Sequence, residues 1–179
     1  MSINRVNWNA LCYKKIEKTE SEEWIVEMNK EKLRIYREFK QDMQFERYLK
    51  VSENRRGMLL LAKLRSGSHF LRIETGRYEV KNKKRLERNE RVCLCCDMNK
   101  IEDEYHFLFE CVLYRGERMK LYDDIKQHPN VDVMNMDDKN KLKFVLSCGL
   151  FMLEHNIVKC VQDYLCICYD KRLQMLKTI

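Results

Sequence analysis

The sequence predicts a mainly α fold, a small helical bundle, and three observations support that class. The chain has 179 residues but only five glycines and one proline, and a sandwich or barrel of short strands usually needs more turn residues. Apolar residues make up 45% of the sequence and occur along its whole length, which favours a packed core. Several segments place apolar residues three and four positions apart, the spacing of one helix face.

The first third of the chain is predicted to form two helices. Residues 19–22 read Thr-Glu-Ser-Glu, the pattern of a capping box, so a helix is expected to begin there. In residues 30–48 apolar side chains recur at spacings of three and four, which predicts an amphipathic helix. Those side chains are Leu33, Tyr36, Phe39 and Met43.

A third helix is predicted over residues 55–65. Asn54 is a suitable N-cap, because its side-chain oxygen can accept a bond from a backbone N–H, and Gly67 is suited to end the helix. Gly76 marks a turn or a helix end. Residues 79–91 have no apolar periodicity and are expected to form an exposed loop.

Further helices are predicted after residue 101. The acidic residues 102–104 open a short helix through 109, where they complement the helix dipole. A helix over 114–127 is expected to stop before Pro129, and Asp137 or Asp138 can cap another that runs through 148. Asn156 is expected to cap the last helix, whose buried stripe is Ile157, Val161, Leu165 and Cys168.

We divide the chain into an N-terminal helical extension (1–50), a basic module with a cysteine cluster (51–128) and C-terminal helices that pack on the same core (129–179). Residues 50–92 hold 13 basic and 5 acidic groups, whereas residues 1–49 carry a net charge of +1 and residues 93–179 a net charge of −2. A localised positive field attracts polyanions. Solvated helix faces rich in Lys and Arg are the alternative interpretation.

A cluster of cysteine and histidine follows the basic segment. Cys93, Cys96, His106 and Cys111 form the pattern Cys-x2-Cys-x9-His-x4-Cys. Zinc binds four such ligands in a tetrahedron, and a site whose four positions are all filled by protein is structural. We therefore predict one structural Zn²⁺ in an embedded site that is similar to a zinc knuckle.

Two alternatives to this ligand set stay open. Cys95 is a rival ligand to Cys93 or Cys96. Free thiols are also common in protein cores. This alternative suits the cysteines on apolar helix faces, which are Cys148, Cys160, Cys166 and Cys168. It suits the cluster poorly. An odd total of nine cysteines argues against complete disulfide pairing.

The residues of this region resemble a known family. Residues 64–78, which read LRSGSHFLRIETGRY, precede the Cys-x2-Cys pair and residues 101–111, which read IEDEYHFLFEC. Together they resemble the zinc-binding segment that follows the polymerase in animal non-LTR (LINE-like) retrotransposon proteins. Residues 32–40, residues 138–146 and the last helix are similar to the same post-polymerase region. The resemblance covers roughly residues 24–179 and is specific in 33–111.

The resemblance implies a zinc-stabilised module that contacts nucleic acid, without the polymerase and endonuclease that precede it in the family. We expect contacts with the phosphate backbone of RNA or DNA, made by basic residues on both sides of Gly76. These are Lys81, Lys83, Lys84, Arg85, Arg88, Arg91, Arg55, Arg56, Arg65, Arg72 and Arg77. Tyr78, Tyr105 and Phe107 are candidates for stacking on unpaired bases, with core packing as the alternative.

No enzymatic activity is expected. Asp123 and Asp124 follow Tyr122 without the intervening residue of a Tyr-x-Asp-Asp polymerase motif, and they lie in a helical pattern, so we interpret them as helix-surface residues. His69 looks catalytic in isolation, but a lone histidine beside apolar residues is more often a hydrogen-bonded structural group. A small-molecule substrate is not expected either.

The predicted setting is intracellular and reducing, nuclear or cytoplasmic. We find no signal peptide, and no segment reaches the roughly 18 apolar residues that a membrane helix needs. Thiols stay reduced in such compartments. The other functional hypotheses are a zinc-stabilised protein-interaction or structural domain and a non-functional retroelement fragment.

Overall fold

The computed structural model describes residues 5–38, 40, 42–46, 48–81, 83–127, 132–147 and 155–178. The fold is mainly α, as the sequence predicted. Its α-helices are α1 (Arg5–Met28), α2 (Tyr48–Val51), α3 (Arg55–Arg65), α4 (Arg72–Thr75), α5 (Arg115–Lys126), α6 (Asp138–Ser147) and α7 (His155–Leu176). The described residues also contain an antiparallel pair of short strands, β1 (Val80–Lys81) and β2 (Lys84–Arg85).

The chain forms two compact units, Met1–Phe45 and Glu46–Ile179. The first contains α1, and the second contains the remaining helices, the strand pair and the cysteine cluster. The three-segment division made from the sequence stays a prediction. No helix of the described residues combines the length and the apolar character needed to cross a membrane.

Two predictions for the first unit were wrong. Helix α1 passes through the expected capping box without a break, because Thr19 donates its hydroxyl to the carbonyl of Lys15 one turn earlier (3.0 Å) and caps nothing. The helix expected over 30–48 is replaced by two 3₁₀ turns, Glu31–Leu33 and Tyr36–Glu38. The Asp42 carboxylate then accepts a bond from the Gln44 N–H (3.0 Å), a turn that competes with helix formation. Phe39 lies outside the described residues.

Helix α7 is the centre of the second unit and packs against both α3 and α5. Its predicted stripe is confirmed, since all four of its residues are buried: Ile157, Val161, Leu165 and Cys168. The helix already includes His155, so Asn156 is not its cap. Gly57 allows α3 to approach α7 closely, because a Cβ at this position would lie 2.5 Å from the Cβ of Gln162.

The predicted ends of α3 are confirmed. Asn54 Oδ1 accepts a bond from the Gly57 N–H (2.9 Å), and Asn54 Nδ2 donates to Asp163 Oδ1 on α7 (3.0 Å). After the helix, Gly67 adopts a φ of 62°, which glycine tolerates without strain. The Asn54 side chain therefore caps one helix and joins it to another.

The stretch 79–91 is more ordered than the sequence predicted. Strands β1 and β2 form a hairpin whose turn includes Lys83 at a φ of 64°, and a 3₁₀ turn, Arg88–Glu90, follows it. Leu86 is buried at the base of the hairpin, and its carbonyl accepts bonds from the Arg91 guanidinium. The residues between Leu86 and Arg91 are exposed, as expected.

The helices on the C-terminal side agree with their predicted positions. Helix α5 ends at Lys126, and His128 and Pro129 lie outside the described residues. Asp123 is exposed and Asp124 half-buried on α5, as expected for helix-surface residues. Asp137 is the cap of α6, because its carboxylate accepts a bond from the Asn140 N–H (3.0 Å).

Candidate metal centre

A tight loop over residues 92–101 holds the first two cysteines. Val92 and Ile101 form an isolated antiparallel bridge, and the Cys93 N–H donates to the Lys100 carbonyl (2.8 Å). Within the loop the Cys95 N–H points at Cys93 Sγ (3.4 Å), and Asn99 takes a φ of 50°, which asparagine tolerates well. The loop thus returns the chain on itself and places the Cys93 and Cys96 thiols side by side.

A π-helical turn, His106–Glu110, supplies the other two side chains. The Asp103 carboxylate caps it by accepting a bond from the His106 N–H (2.9 Å), and the Cys111 N–H donates to the His106 carbonyl five residues earlier (2.8 Å). In an α-helix, residues five apart lie on different faces. The wider π turn brings His106 and Cys111 to the same side, which explains the four-residue spacing between them.

The four predicted ligands come together. The ligand atoms of Cys93, Cys96, His106 and Cys111 all lie within 4.8 Å of one another, and the group can hold a metal ion. Cys93, His106 and Cys111 are buried, and Cys96 is half-buried. The imidazole faces the thiols through Nε2, which lies 3.4 Å from Cys96 Sγ. Four protein donors are the full number of ligands of a tetrahedral metal site.

The ring of His106 is held by Glu110, which is itself paired with Lys100. His106 Nδ1 lies 3.3 Å from Glu110 Oε2, and Lys100 Nζ donates to Glu110 Oε1 (2.6 Å). A carboxylate that accepts the Nδ1 proton fixes the tautomer that leaves Nε2 free for a metal. The pKa of Glu110 is lowered, since its bonds to Lys100 and His106 outweigh the effect of burial.

The electrostatics of the cluster favour negative charge on one sulfur, that of Cys93: burial raises the pKa of Cys96, and the bond to Cys93 together with burial raises the pKa of Cys111. Hydrogen bonds from the Cys111 and Cys95 thiols hold the pKa of Cys93 well below its usual range. Burial lowers the pKa of His106, but its bonds to Cys93 and Glu110 outweigh that effect and leave this pKa raised. A metal ion that binds this cluster has to displace the protons that the thiols and the imidazole hold.

Cys95 belongs to a different group. It is buried near Cys93 and Glu102, and these three could also hold a metal ion. However, both carboxylate oxygens of Glu102 accept bonds from the Arg172 guanidinium on α7 (2.7 and 2.8 Å). Because this carboxylate is already engaged, the geometry favours Cys96 over Cys95 as the partner of Cys93.

The acidic residues 102–104 have roles that the dipole interpretation missed. Only Asp103 caps the following turn. Glu102 is buried, pairs with Arg172 and accepts a bond from the Arg72 N–H (3.0 Å). Glu104 is buried and lies 2.9 Å from His69 Nε2, while the other ring nitrogen of His69 accepts from the Leu71 N–H (3.3 Å). His69 is therefore a buried, hydrogen-bonded residue, consistent with its predicted structural role.

A third group of possible ligands, His69, Glu74 and Glu104, lies close together in the same unit. Glu74 is paired with Arg77 Nη2 (3.1 Å). If His69 Nδ1 accepts from the Leu71 N–H, the neutral ring carries its proton on Nε2 and donates it to Glu104. In that tautomer the lone pair of Nδ1 is already engaged by the Leu71 N–H, so we interpret the group as a polar link between the α4 region and the helix turn that contains Glu104.

The predicted basic residues divide into exposed and structural ones. Lys81, Lys83, Lys84 and Arg85 are exposed on the hairpin, and Arg55, Arg56 and Arg88 are exposed elsewhere. Arg65 is buried, and its guanidinium donates to the Leu146 carbonyl (2.9 Å) and to Glu46 (2.6 Å). Three others are half-buried and engaged with neighbouring groups: Arg72 with Glu79, Arg77 with Glu74, and Arg91 with the Ile73 and Leu86 carbonyls.

The candidate stacking residues also divide. Tyr78 is 80% exposed beside the hairpin, whereas Phe107 is 1% exposed. Phe107 packs edge-on against Phe70 and Tyr114, with ring centroids 5.5 and 5.0 Å apart. It is therefore a core residue and not a stacking group. Tyr105 is half-buried and donates its hydroxyl to Asp138.

Three residues around the cluster were not identified from the sequence. Glu110 orients His106, Arg172 neutralises Glu102, and Arg118 donates to the Cys111 carbonyl (3.2 Å). The position of Glu110 directly before a cysteine ligand, four residues after a histidine, is a usable local signal. The two arginines come from α5 and α7, and nothing in their local pattern points to the cluster.

No protein-family model, no curated protein and no solved structure matches the chain. The class that the fold and the site define is therefore a mainly α protein with a buried cluster of three cysteines and one histidine that can hold a metal ion.

Proposed function

We propose that the chain is a non-catalytic, zinc-binding module that binds nucleic acid, derived from the C-terminal region of a non-LTR retrotransposon reverse transcriptase. One observation carries the proposal. An exposed hairpin with four adjacent cationic side chains directly precedes, in the chain, a buried cluster with four metal-ligating groups. The resemblance of residues 33–111 to the retrotransposon segment supports the proposed origin.

The donor set supports zinc as the metal. Three thiols and one imidazole match the soft and borderline ligands of tetrahedral structural zinc sites, whereas calcium and magnesium prefer oxygen. Zinc-bound histidines commonly have a carboxylate at their other ring nitrogen, as His106 has Glu110. Because all four positions would be filled by protein, the ion would stabilise the fold and would not activate water. This is the basis for proposing a module without enzymatic activity.

The hairpin supports a polyanion as the partner. Lys81, Lys83, Lys84 and Arg85 project from a two-stranded element whose base is fixed by Leu86 and Arg91. Lysine and arginine bind phosphates and release counterions, so affinity should fall steeply with salt and depend little on base sequence. We place the module in the nucleus or cytoplasm, where its thiols stay reduced, without a membrane partner or a small-molecule substrate.

The test is a salt titration with fluorescently labelled RNA and DNA oligonucleotides, single-stranded and duplex. The variant K81A/K83A/K84A/R85A should bind more weakly, and the slope of log K against log salt should fall by about 3 to 4. The control K63A/K120A/K126A/K177A removes the same charge from exposed positions elsewhere and should change the slope much less. Equal losses in both variants, or no binding by the wild type, would contradict the proposal.

A zinc-stabilised protein-interaction domain is the second candidate function. Helix α1 favours it, because six of its large hydrophobic side chains are more than half exposed: Trp8, Leu11, Tyr13, Ile16, Ile25 and Val26. The same oligonucleotide titration separates the two candidates, since an interaction domain would show no salt-sensitive binding of its own.

A further inference from the structure

The hairpin carries an exposed aromatic side chain that contacts with phosphate do not use. Tyr78 is 80% exposed and ends the 3₁₀ turn Gly76–Tyr78, two positions before β1 begins. Among the described residues its ring makes no aromatic or cation–π contact, and its hydroxyl makes no hydrogen bond. A single exposed apolar residue is common on protein surfaces. This one belongs to a larger surface, which the register of the hairpin defines.

The register separates the side chains of the hairpin onto two faces. Val80 lies opposite Arg85. Lys81 lies opposite Lys84, and a backbone hydrogen bond continues the pairing to Leu86 (3.1 Å). Residues opposite each other on antiparallel strands share a face, and successive residues alternate between faces. Leu86 therefore shares its face with Lys81 and Lys84. Because Leu86 is buried, the face of Val80 and Arg85 is turned away from the rest of the unit.

The outer surface of the hairpin, formed by Tyr78, Val80 and Arg85, combines apolar, aromatic and cationic groups. Val80 is 67% exposed, and the residue between Tyr78 and Val80 has an extended backbone (φ −77°, ψ 140°). Two residues of extended chain span about 7 Å, so the three exposed side chains lie close together. Aromatic rings and guanidinium planes are the groups on which nucleic-acid bases stack.

The backbone beneath the outer surface is fixed by Arg91. Its guanidinium donates to the Leu86 carbonyl (3.0 Å) and to the Ile73 carbonyl (2.9 Å). Gly76 packs so closely on the same side chain that an added Cβ would lie 2.9 Å from Arg91 Cγ. The turn that carries Tyr78 and the end of the hairpin thus rest on one arginine. A ring held on an ordered backbone loses less entropy on binding than a ring on a mobile loop.

The charges around the outer surface suit a phosphate backbone. Residues 80–86 contain four cations and no acid, and within the described residues none of the four is paired with a carboxylate. The flanking acidic residues are engaged elsewhere. Glu79 pairs with Arg72 (2.9 Å), and the Glu87 and Glu90 side chains form a reciprocal capping box with each other's backbone N–H. A polyanion therefore finds cations beside the aromatic ring.

We propose that the hairpin binds single-stranded nucleic acid, with the Tyr78 ring stacked on an unpaired base and the neighbouring cations on its phosphates. The inference rests on the proposed nucleic-acid function and specifies the form of the partner. Inside a duplex both faces of each base are covered by neighbouring bases, so an exposed ring reaches a base face only where the strand is unpaired. RNA and DNA share these base faces and phosphates, and stacking tolerates any base.

The experiment measures the fluorescence anisotropy of labelled single strands and duplexes of equal length, in DNA and in RNA, with the full chain. Y78A should lower the single-strand affinity about 5- to 100-fold, whereas Y78F keeps the ring and should stay within about twofold of the wild type. The duplex affinity and the salt slope of Y78A should change little, because no phosphate contact is removed. Y13A is the matched control, since Tyr13 is 73% exposed on α1, and should change no affinity.

A single strand built of abasic sites completes the test. The wild type should bind it at least as weakly as Y78A binds the ordinary strand, and Y78A should lose no further affinity on it, because the stacking partner is absent. Equal losses by Y78A on single strands with and without bases, or on single strands and duplexes, would overturn the inference and leave the proposed function intact. A wild type that binds no oligonucleotide at all would remove both.

Discussion

Two regions of the second unit bury their side chains through different kinds of interaction. The layer of α3, α5 and α7 is held by apolar side chains and by a close helix crossing at Gly57. The segment from Val92 to Cys111 has short turns in place of long helices and buries thiols, carboxylates and an imidazole. The first region depends on apolar packing, whereas the second depends on polar partners around a cluster that could hold a metal ion.

The difference predicts how each region responds to perturbation. Apolar packing loses stability in proportion to the volume that is changed. A buried polar network instead fails when one partner is removed, because the remaining group stays desolvated and unpaired. The predictions below test this contrast, from the largest expected effect to the smallest.

Removal of the metal should have the largest effect. Structural zinc contributes an apparent free energy of about 10–16 kcal/mol in small zinc-binding peptides. Chelation should therefore abolish amide protection over 93–111, while α3 and α7 exchange more slowly. Hydrogen exchange measured by mass spectrometry resolves the two regions, and equal protection with and without chelator would contradict the contrast. Metal affinity should also fall as the pH falls, because the thiols and His106 must lose protons to bind.

Breaking the buried pair of Glu102 and Arg172 should have the next largest effect. Replacing Arg172 with Met leaves a buried carboxylate without its bidentate partner, at a cost of about 3–5 kcal/mol in the free energy of unfolding. The double variant R172M/E102L should recover part of that loss. The exposed pair of Arg56 and Asp170 is the control, and R56M should change chemical denaturation far less. Equal effects at the two sites would remove the distinction between them.

Replacing Glu110 with Gln tests whether its contact with His106 supports metal binding. The amide keeps the size of the side chain but weakens the bond that orients the His106 ring, so metal affinity should fall about 10- to 100-fold. Competition against a chromogenic chelator measures this. D97N is the matched control, because it removes one exposed negative charge from the loop that holds Cys93 and Cys96, at a position that makes no bond to His106. If both variants lose the same affinity, charge near the cluster is sufficient and orientation is not involved.

The glycines of the helical layer give the smallest effects, with opposite signs. G57A should destabilise the protein by about 1–3 kcal/mol, since the added methyl group would overlap Gln162. G116A adds the same atom at an open position in α5 and should stabilise by about 0.5–1 kcal/mol. Thermal unfolding of the two variants checks both signs. If G57A left the stability unchanged, α7 would be able to shift away from the added methyl group without loss of stability.

The comparison also explains what could be predicted from the sequence. The caps of α3 and the stripe of α7 depend on residues close together in the chain, and both predictions were confirmed. The four cluster residues were predicted from their spacing within a short segment, and the structure places them together. The prediction of a helix over 30–48 was wrong. Despite the apolar periodicity, the segment forms short local turns such as the one at Asp42.

Long-range polar partners could not be predicted. Glu102 meets Arg172 across 70 positions of sequence, and Arg65 meets the Leu146 carbonyl across 81. Charge counting placed Arg65 in the nucleic-acid-binding set, because local sequence does not distinguish a buried arginine from an exposed one. The hairpin residues were easier to interpret, since the sequence between Val80 and Leu86 contains only polar residues.

The most direct test of the central claim is native mass spectrometry of the zinc content per chain, on the wild type, Cys111→Ala and Cys95→Ala. We predict one zinc in the wild type and in Cys95→Ala, and weakened or absent binding in Cys111→Ala. Folding of Cys111→Ala is checked by circular dichroism of its helices. A folded wild-type chain without zinc, or a chain that loses the ion with Cys95 and keeps it without Cys111, would contradict the four-ligand site.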